Sequence, residues 1–221
     1  IVETGMGEKW GPKDRKIYAL ESRGGLVEEL VRRGVAPGSV DTVILTHLHF
    51  DHAGGSTVAD ERGDIVPAFP NAEYIVQQEE WEFASRANER TRASYLAENF
   101  EPLSRHSVLK LVRGEQEILP GVSVLPLPGH TPGLQGVLFR SGGETALFPS
   151  DLVPTRAHLP LPYIMGYDVL PLITLETKKR VLPRAAREDW RLIMVHEPAT
   201  PVGRLREEQG KLIFHPVDGE S

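Results

Sequence analysis

Apolar residues recur at helical spacing in some stretches of this chain and come in short unbroken runs in others. Over residues 21–34, Leu26 and Leu30 share one helical face with Val27 and Val31 beside them, while Glu28, Glu29, Arg32 and Arg33 are left for solvent. This spacing predicts an amphipathic helix that Gly34 stops. After the Pro37-Gly38 turn, Thr42-Val43-Ile44-Leu45-Thr46 is β-rich and too short for a helix, so it predicts a buried strand. Residues 72–76 read as the next strand. Residues 78–100 are polar, with Trp81, Ala84, Ala87, Tyr95 and Leu96 near helical spacing, which fits one or two helices. Apolar runs at 108–112, 122–125, 136–139 and 146–148, punctuated by Gly and Pro, predict strands of a twisted sheet or hairpins. Residues 152–171 are rich in Pro, Leu and Tyr without periodicity, and within them 152–167 predicts a loop. Residues 175–187 are helical in pattern, 192–195 read as a strand leading into His196, and the apolar run at 211–214 closes the chain. With no low-complexity linker and no repeat, one domain over 1–221 is expected.

Composition narrows the class. At 40% hydrophobic and 25% charged residues, with 21 Gly and 18 Pro in 221 residues, the chain is an ordinary globular sequence with many turns. Its net charge of −6 weighs against nucleic acid as the partner. No apolar run approaches the roughly 18 residues of a membrane span and no signal-peptide pattern opens the chain, so no membrane association and a cytoplasmic setting are expected. Ile1-Val2-Glu3-Thr4-Gly5 reads as the tail of a strand entering a Gly turn, so further sequence upstream is expected. The absence of Cys excludes disulfides, thiolate nucleophiles, iron–sulfur clusters and thiolate zinc sites. Any metal must therefore be held by carboxylates and some of the eight His.

Thr46-His47-Leu48-His49-Phe50-Asp51-His52 packs three imidazoles and a carboxylate into a strand-end loop, the donor set that borderline divalent cations such as zinc prefer. In an extended segment His47, His49 and Asp51 alternate onto one side. A turn at Asp51-His52 swings the second pair away, so one short loop can feed two adjacent metals. Ala53-Gly54-Gly55 lets the backbone turn tightly there. A polar surface loop is the alternative, but that many titratable groups in so little chain without counter-charge is costly. His130, within Gly129-His130-Thr131-Pro132-Gly133, Asp151 after the apolar run 146–148, and His196 after 192–195 are three more strand-end candidates. Alone, each is an ordinary loop residue; together with the first cluster they complete two ligand sets.

In these motifs and their order the chain resembles the metallo-β-lactamase superfamily of metal-dependent hydrolases. The resemblance runs from Glu3-Thr4-Gly5 through His47-x-His49-x-Asp51-His52 and the His130 motif to Asp151 and His196. It implies an αββα sandwich, an α/β fold of two mixed sheets flanked by helices, here without its first strands. It implies that His47, His49 and His130 hold one metal, that Asp51, His52 and His196 hold a second, and that Asp151 bridges them. Two divalent metal ions are expected, zinc first, with manganese, cobalt or iron as alternatives. Glu3 stands where the family usually carries Asp, beside the metal loop. The implied chemistry is hydrolysis by a hydroxide shared between the cations, with Asp51 as the catalytic residue that orients it and shuttles a proton.

Without Cys the Cys-ligand β-lactamase branches are excluded, and a bridging Asp is atypical of the remaining one. His49 stands where flavodiiron reductases carry Glu, and no basic arm marks a tRNA-processing nuclease. Residues 151–167 look most like the branch of quorum-quenching lactonases and organophosphate hydrolases. The expected substrate is a small molecule with an ester-like bond: lactone, ester or thioester. Alternatives are a phosphotriester hydrolase, a single-iron dioxygenase of the same superfamily, and a metal-binding protein without turnover. The best-known lactonases place Tyr three residues after the bridging Asp; here that position is Pro154, and Tyr163 or Tyr167 is the candidate replacement. His158 and Tyr163 are the candidate substrate-binding residues, with Leu159, Leu161, Ile164 and Met165 as an apolar wall or as core. His158 is alternatively a solvent-facing loop residue. His106 and His215 carry no expected role, and the protein partner considered is a second copy of the chain, as a homodimer.

Overall fold

The computed structural model describes residues 1–20 and 25–217. The chain divides into two compact units, Ile1–Val112 and Arg113–Ser221. The first carries helix α1 (Pro12–Ile17), α2 (Leu26–Arg32), strand β1 (Thr42–Ile44), α3 (Phe50–Ala53), β2 (Thr57–Ala59), β3 (Ile65–Pro67), β4 (Glu73–Gln77), α4 (Gln78–Ala84), α5 (Glu101–Arg105) and β5 (Leu109–Val112).

Strands β1, β4 and β5 form a parallel sheet in that order, with Ile44 opposite Ile75 and Val76 opposite Leu111. Val43, Ile44 and Leu45 are all buried, as are Tyr74, Ile75 and Val76. A parallel strand covered on both faces reads as a continuous apolar run, which is why these strands stand out in sequence. Leu48, Phe69, Phe100 and Leu103 complete this unit's core. The expected helix over 21–34 is α2: Gly34, at φ +80°, ends it, and Val35 N–H bonds back to Leu30 O at 2.8 Å. Residues 21–24 of that expectation lie outside the described residues. The stretch 78–100 holds α4 and then turns, with α5 beginning just beyond it. The antiparallel pair β2–β3 was not expected; its Asp-rich turn, in which Asp60 Oδ1 accepts the Arg62 and Asp64 N–H groups, hides two very short strands.

The second unit carries β6 (Gln116–Leu119), β7 (Val122–Pro126), β8 (Gln135–Ser141), β9 (Glu144–Phe148), α6 (Pro171–Arg187), β10 (Arg191–Ile193), β11 (Val202–Glu208) and β12 (Lys211–Pro216). They form one seven-stranded sheet, β12-β11-β10-β9-β8-β7-β6. Strands β6 to β9 are an antiparallel meander, and β10 is parallel to β9, with α6 as the crossover. Because β7 and β9 both run antiparallel to β8, strands β7, β9 and β10 share one direction. Their C-terminal ends therefore lie at one edge of the sheet, and the residues that follow them are His130, Asp151 and His196. Helix α6 buries Val181, Leu182 and Ala185 against Leu138, Leu147 and Leu192 of the sheet. Pro183 is accommodated inside it. The fold is the mixed α/β class expected, with sheets flanked by helices. Among the described residues no helix is long and apolar enough to cross a membrane.

Candidate metal centre

In the first unit, β1 ends at Ile44 and its chain runs directly into the histidine motif, at the C-terminal end of a parallel strand where α/β folds place their ligands. The loop is held from several sides. Thr4 N–H bonds to His52 O at 2.8 Å, and Leu48 N–H, between two of the His, donates to the fully buried Glu80 carboxylate at 3.0 Å. Tyr95 O–H donates to the same Glu80 oxygen at 2.9 Å, while the Tyr95 ring sits edge-on to His49 at 4.6 Å. Lys9 Nζ donates to Gly54 O at 2.5 Å and Thr57 O at 2.8 Å, and its burial pushes its pKa down to about 8, against the pull of Glu98. Gly54 and Gly55 are required here: a Cβ at Gly54 would lie 2.1 Å from Met6 O and one at Gly55 2.3 Å from Thr4 O.

On this support His47, His49 and His52 are buried, with the His47 ring edge-on to that of His49 at 4.6 Å and tilted against that of His52 at 4.2 Å. Asp51, one third exposed, has Oδ2 3.4 Å from His52 Nε2. Thr46 Oγ1 donates to Glu3 Oε1 at 2.5 Å, so its contact with His47 Nδ1 at 3.1 Å assigns a hydrogen to that ring nitrogen. Glu3 Oε1 also lies 2.8 Å from His52 Nδ1. Glu3, His47 and His52 thus bring one donor atom each within 4.8 Å of one another.

In the second unit, the Asp151 carboxylate divides its two oxygens: Oδ2 is 3.3 Å from His130 Nε2 and Oδ1 is 3.2 Å from His196 Nε2. His130 and Asp151 are buried, and the His196 side chain is 39% exposed. Ser150, just before Asp151, is held at φ +48°, and Glu3 at φ +57°; non-glycine residues in this region carry backbone strain. His196 N–H bonds to Pro154 O at 3.0 Å, so the segment leaving Asp151 also fixes the backbone of His196. Asp168 was not among the sequence candidates, yet its Oδ1 lies 2.9 Å from His130 Nδ1. An aspartate far along the chain from its histidine gives no local signal.

The expected loop over 152–167 is irregular apart from the end of a short turn at Ser150–Leu152 and another at Arg156–His158. His158 Nδ1 pairs with Thr155 Oγ1 at 2.9 Å. Burial and then Lys178 push its pKa down, opposed by Asp168 and Asp151, so it sits within electrostatic reach of the second unit's carboxylates. Tyr163 and Tyr167 are 60% and 76% exposed. Leu159 is core rather than wall, packed with Leu152 and Val153. Lys178, unremarked in sequence, is fully buried and donates to the loop carbonyls of Pro160 at 2.8 Å, Tyr163 at 3.0 Å and Leu161 at 3.3 Å. Its pKa is pushed down to about 8 by burial, with Asp168 opposing. His106 is exposed, and His215 pairs with Glu208 at 2.6 Å on the β11–β12 hairpin.

The sequence profile of the metallo-beta-lactamase superfamily matches residues 1–196. The chain belongs to this superfamily. Among its metallo-beta-lactamase relatives, an N-acyl homoserine lactonase of Bacillus thuringiensis is 30% identical over 175 residues, covering 78% of this chain and 62% of the relative. The chain spans less than two thirds of the length of the curated relatives it matches. The solved structure of a probable metal-dependent hydrolase from Staphylococcus aureus aligns with TM-score 0.86 at 25% identity, covering 100% of this chain and 78% of that one. An N-acyl homoserine lactone hydrolase with the product N-hexanoyl-L-homoserine bound at the catalytic metal center aligns with TM-score 0.70 at 28% identity, covering 89% of this chain and 75% of the other. The superfamily's divalent cations fit the donors found here. His47 and His130 each have Nδ1 directed to an oxygen partner, which turns Nε2 to the other side of the ring, and Asp151 reaches toward two imidazoles at once.

Proposed function

We propose that this chain is a dinuclear-metal hydrolase that opens the lactone ring of an N-acyl homoserine lactone or a closely similar ester. The observation that carries the reading is the divided carboxylate of Asp151, one oxygen toward His130 and the other toward His196, the posture of a residue that joins two cations. His47, His49 and His130 would hold one metal, Asp51, His52 and His196 the other, and residues 1–221 would work as one hydrolase domain. Zinc suits this imidazole and carboxylate set, with manganese, cobalt or iron as the alternatives. When bound, such a pair supplies a water of lowered pKa and polarises the attacked carbonyl.

The chain's own groups then do the rest. Asp51, a partly exposed carboxylate beside His52, takes the proton released as the water oxygen bonds to the acyl carbon. As the acyl–oxygen bond breaks, the same proton passes to the departing alkoxide, so one water is consumed and a hydroxy acid leaves. Residues 152–167 give the substrate wall: Tyr163 presents an exposed phenol, and Lys178 holds the loop backbone in place. The names of the relatives support the lactone as substrate, since a homoserine lactonase is 30% identical over most of this chain.

The test is to follow ring opening of N-hexanoyl homoserine lactone by acid release, with aryl esters, thioesters and a phosphotriester alongside. Lactone turnover that EDTA abolishes and zinc restores is the expected result. Phosphotriester turnover without lactone turnover, or oxygen consumption with one iron per chain, would replace the reading with one of its rivals.

A further inference from the structure

We infer that Asp168 is a positioning residue for His130, fixing which ring nitrogen faces the metal and anchoring that ring to the start of α6. The inference rests on the proposed role of His130 as a metal ligand and extends it to a residue that touches neither metal nor substrate.

Asp168 is buried, and both of its oxygens are committed. Oδ1 lies 2.9 Å from His130 Nδ1, and Oδ2 accepts the Thr174 hydroxyl at 2.6 Å. A carboxylate accepts only, so the hydrogen shared with Asp168 resides on His130 Nδ1, and Nε2 is the ring nitrogen turned toward Asp151, 3.3 Å from its Oδ2. The backbone repeats the attachment. Val169 N–H donates to His130 O at 3.1 Å and Leu170 N–H to Gly129 O at 3.0 Å, so the segment carrying Asp168 is laid along the His130 turn. That approach is possible because residue 129 is glycine: at φ +147°, a Cβ there would lie 2.5 Å from Thr174 Cα. Thr174 belongs to the first turn of α6, which crosses the sheet between β9 and β10, so the tautomer and tilt of His130 are tied to the helix that spaces Asp151 from His196.

A partner of this kind changes ligand affinity by about 10–100-fold when removed. The experiment titrates apoprotein with zinc against a chromophoric chelator, resolving each equivalent, and records the visible spectrum of the cobalt form. The proteins are wild type, His130→Ala, Asp168→Asn, Asp168→Ala, Thr174→Val and the double variant His130→Ala/Asp168→Asn. Asp168→Asn and Asp168→Ala should weaken the His130-dependent equivalent by about 10–100-fold and alter its cobalt spectrum, leaving the other equivalent at wild-type affinity. Thr174→Val should move the same equivalent by less. Adding Asp168→Asn to His130→Ala should cost nothing more. If Asp168→Ala does not fold, Asp168→Asn and Thr174→Val decide. Unchanged affinity and spectrum in Asp168→Asn, or equal weakening of both equivalents, would overturn the positioning role. A His130→Ala protein that keeps both equivalents would instead remove His130 from the ligand set, a failure of the underlying reading that the variant shows by itself.

Discussion

Asp51 and Lys178 carry opposite burdens. Asp51 keeps a third of its side chain exposed next to His52, whereas Lys178 is sealed inside the second unit. Asp51→Asn keeps the shape and loses the proton acceptor, so steady-state kinetics on the metal-loaded variant should show turnover down by about 10²-fold or more, with a far smaller change in urea midpoint. Lys178 titrates near 8 in the folded protein and at 10.5 when unfolded, because burial disfavours its charge. Between those values the unfolded chain binds more protons, so this group makes stability rise with pH through the window and withdraws that gain as pH falls through 8. Urea midpoints measured from pH 7 to 10.5 should therefore rise less in Lys178→Met than in wild type. Glu80 gathers Leu48 N–H and the Tyr95 hydroxyl under the histidine loop, and Tyr95→Phe should cost about 1 kcal/mol of stability by denaturant titration. The histidine ligands announce themselves because several imidazoles and a carboxylate crowded into one loop are costly to bury unless a cation gathers them. Asp168, Glu80 and Lys178 do not, since each acts on a partner far away in sequence and is an ordinary helix or loop residue where it stands.

Strands with unbroken apolar runs could be read from the sequence, as β1, β4, β8 and β9 were. The polar strands β6 and β11 could not. Strand β11 has Arg204, Arg206, Glu207 and Glu208 around Leu205, its one buried apolar side chain, and its turn to β12 uses Gln209 and Gly210, both at positive φ, where Asn-Gly would have signalled a hairpin. Helix α1 has no buried residue and therefore no apolar stripe to read. The loop of residues 152–167 was legible through its prolines, and Lys178 explains how it keeps a fixed shape without regular hydrogen bonding. His158→Ala and Tyr163→Phe should each alter the ratio of kcat/KM between a lactone and an aryl ester while metal content stays at the wild-type level. Unaltered ratios in both variants would reduce the loop to scaffold.

Each unit of the molecule delivers its polar residues from strand ends: the histidine loop follows β1, and His130, Asp151 and His196 follow β7, β9 and β10. Parallel strand direction accounts for that coincidence within the second unit, and it was invisible before the sheet order was known. With four imidazoles and Asp151 buried in these loops, bound cations should stabilise the folded state, since a ligand that binds only the native protein adds free energy by mass action. Removing metal with EDTA should lower the melting temperature, and zinc should restore it. The most direct test of the dinuclear reading is elemental analysis of the purified protein. About two equivalents of zinc, manganese or cobalt per chain, falling toward one in His196→Ala, is the predicted result; metal at background level, or a single iron per chain, would contradict it.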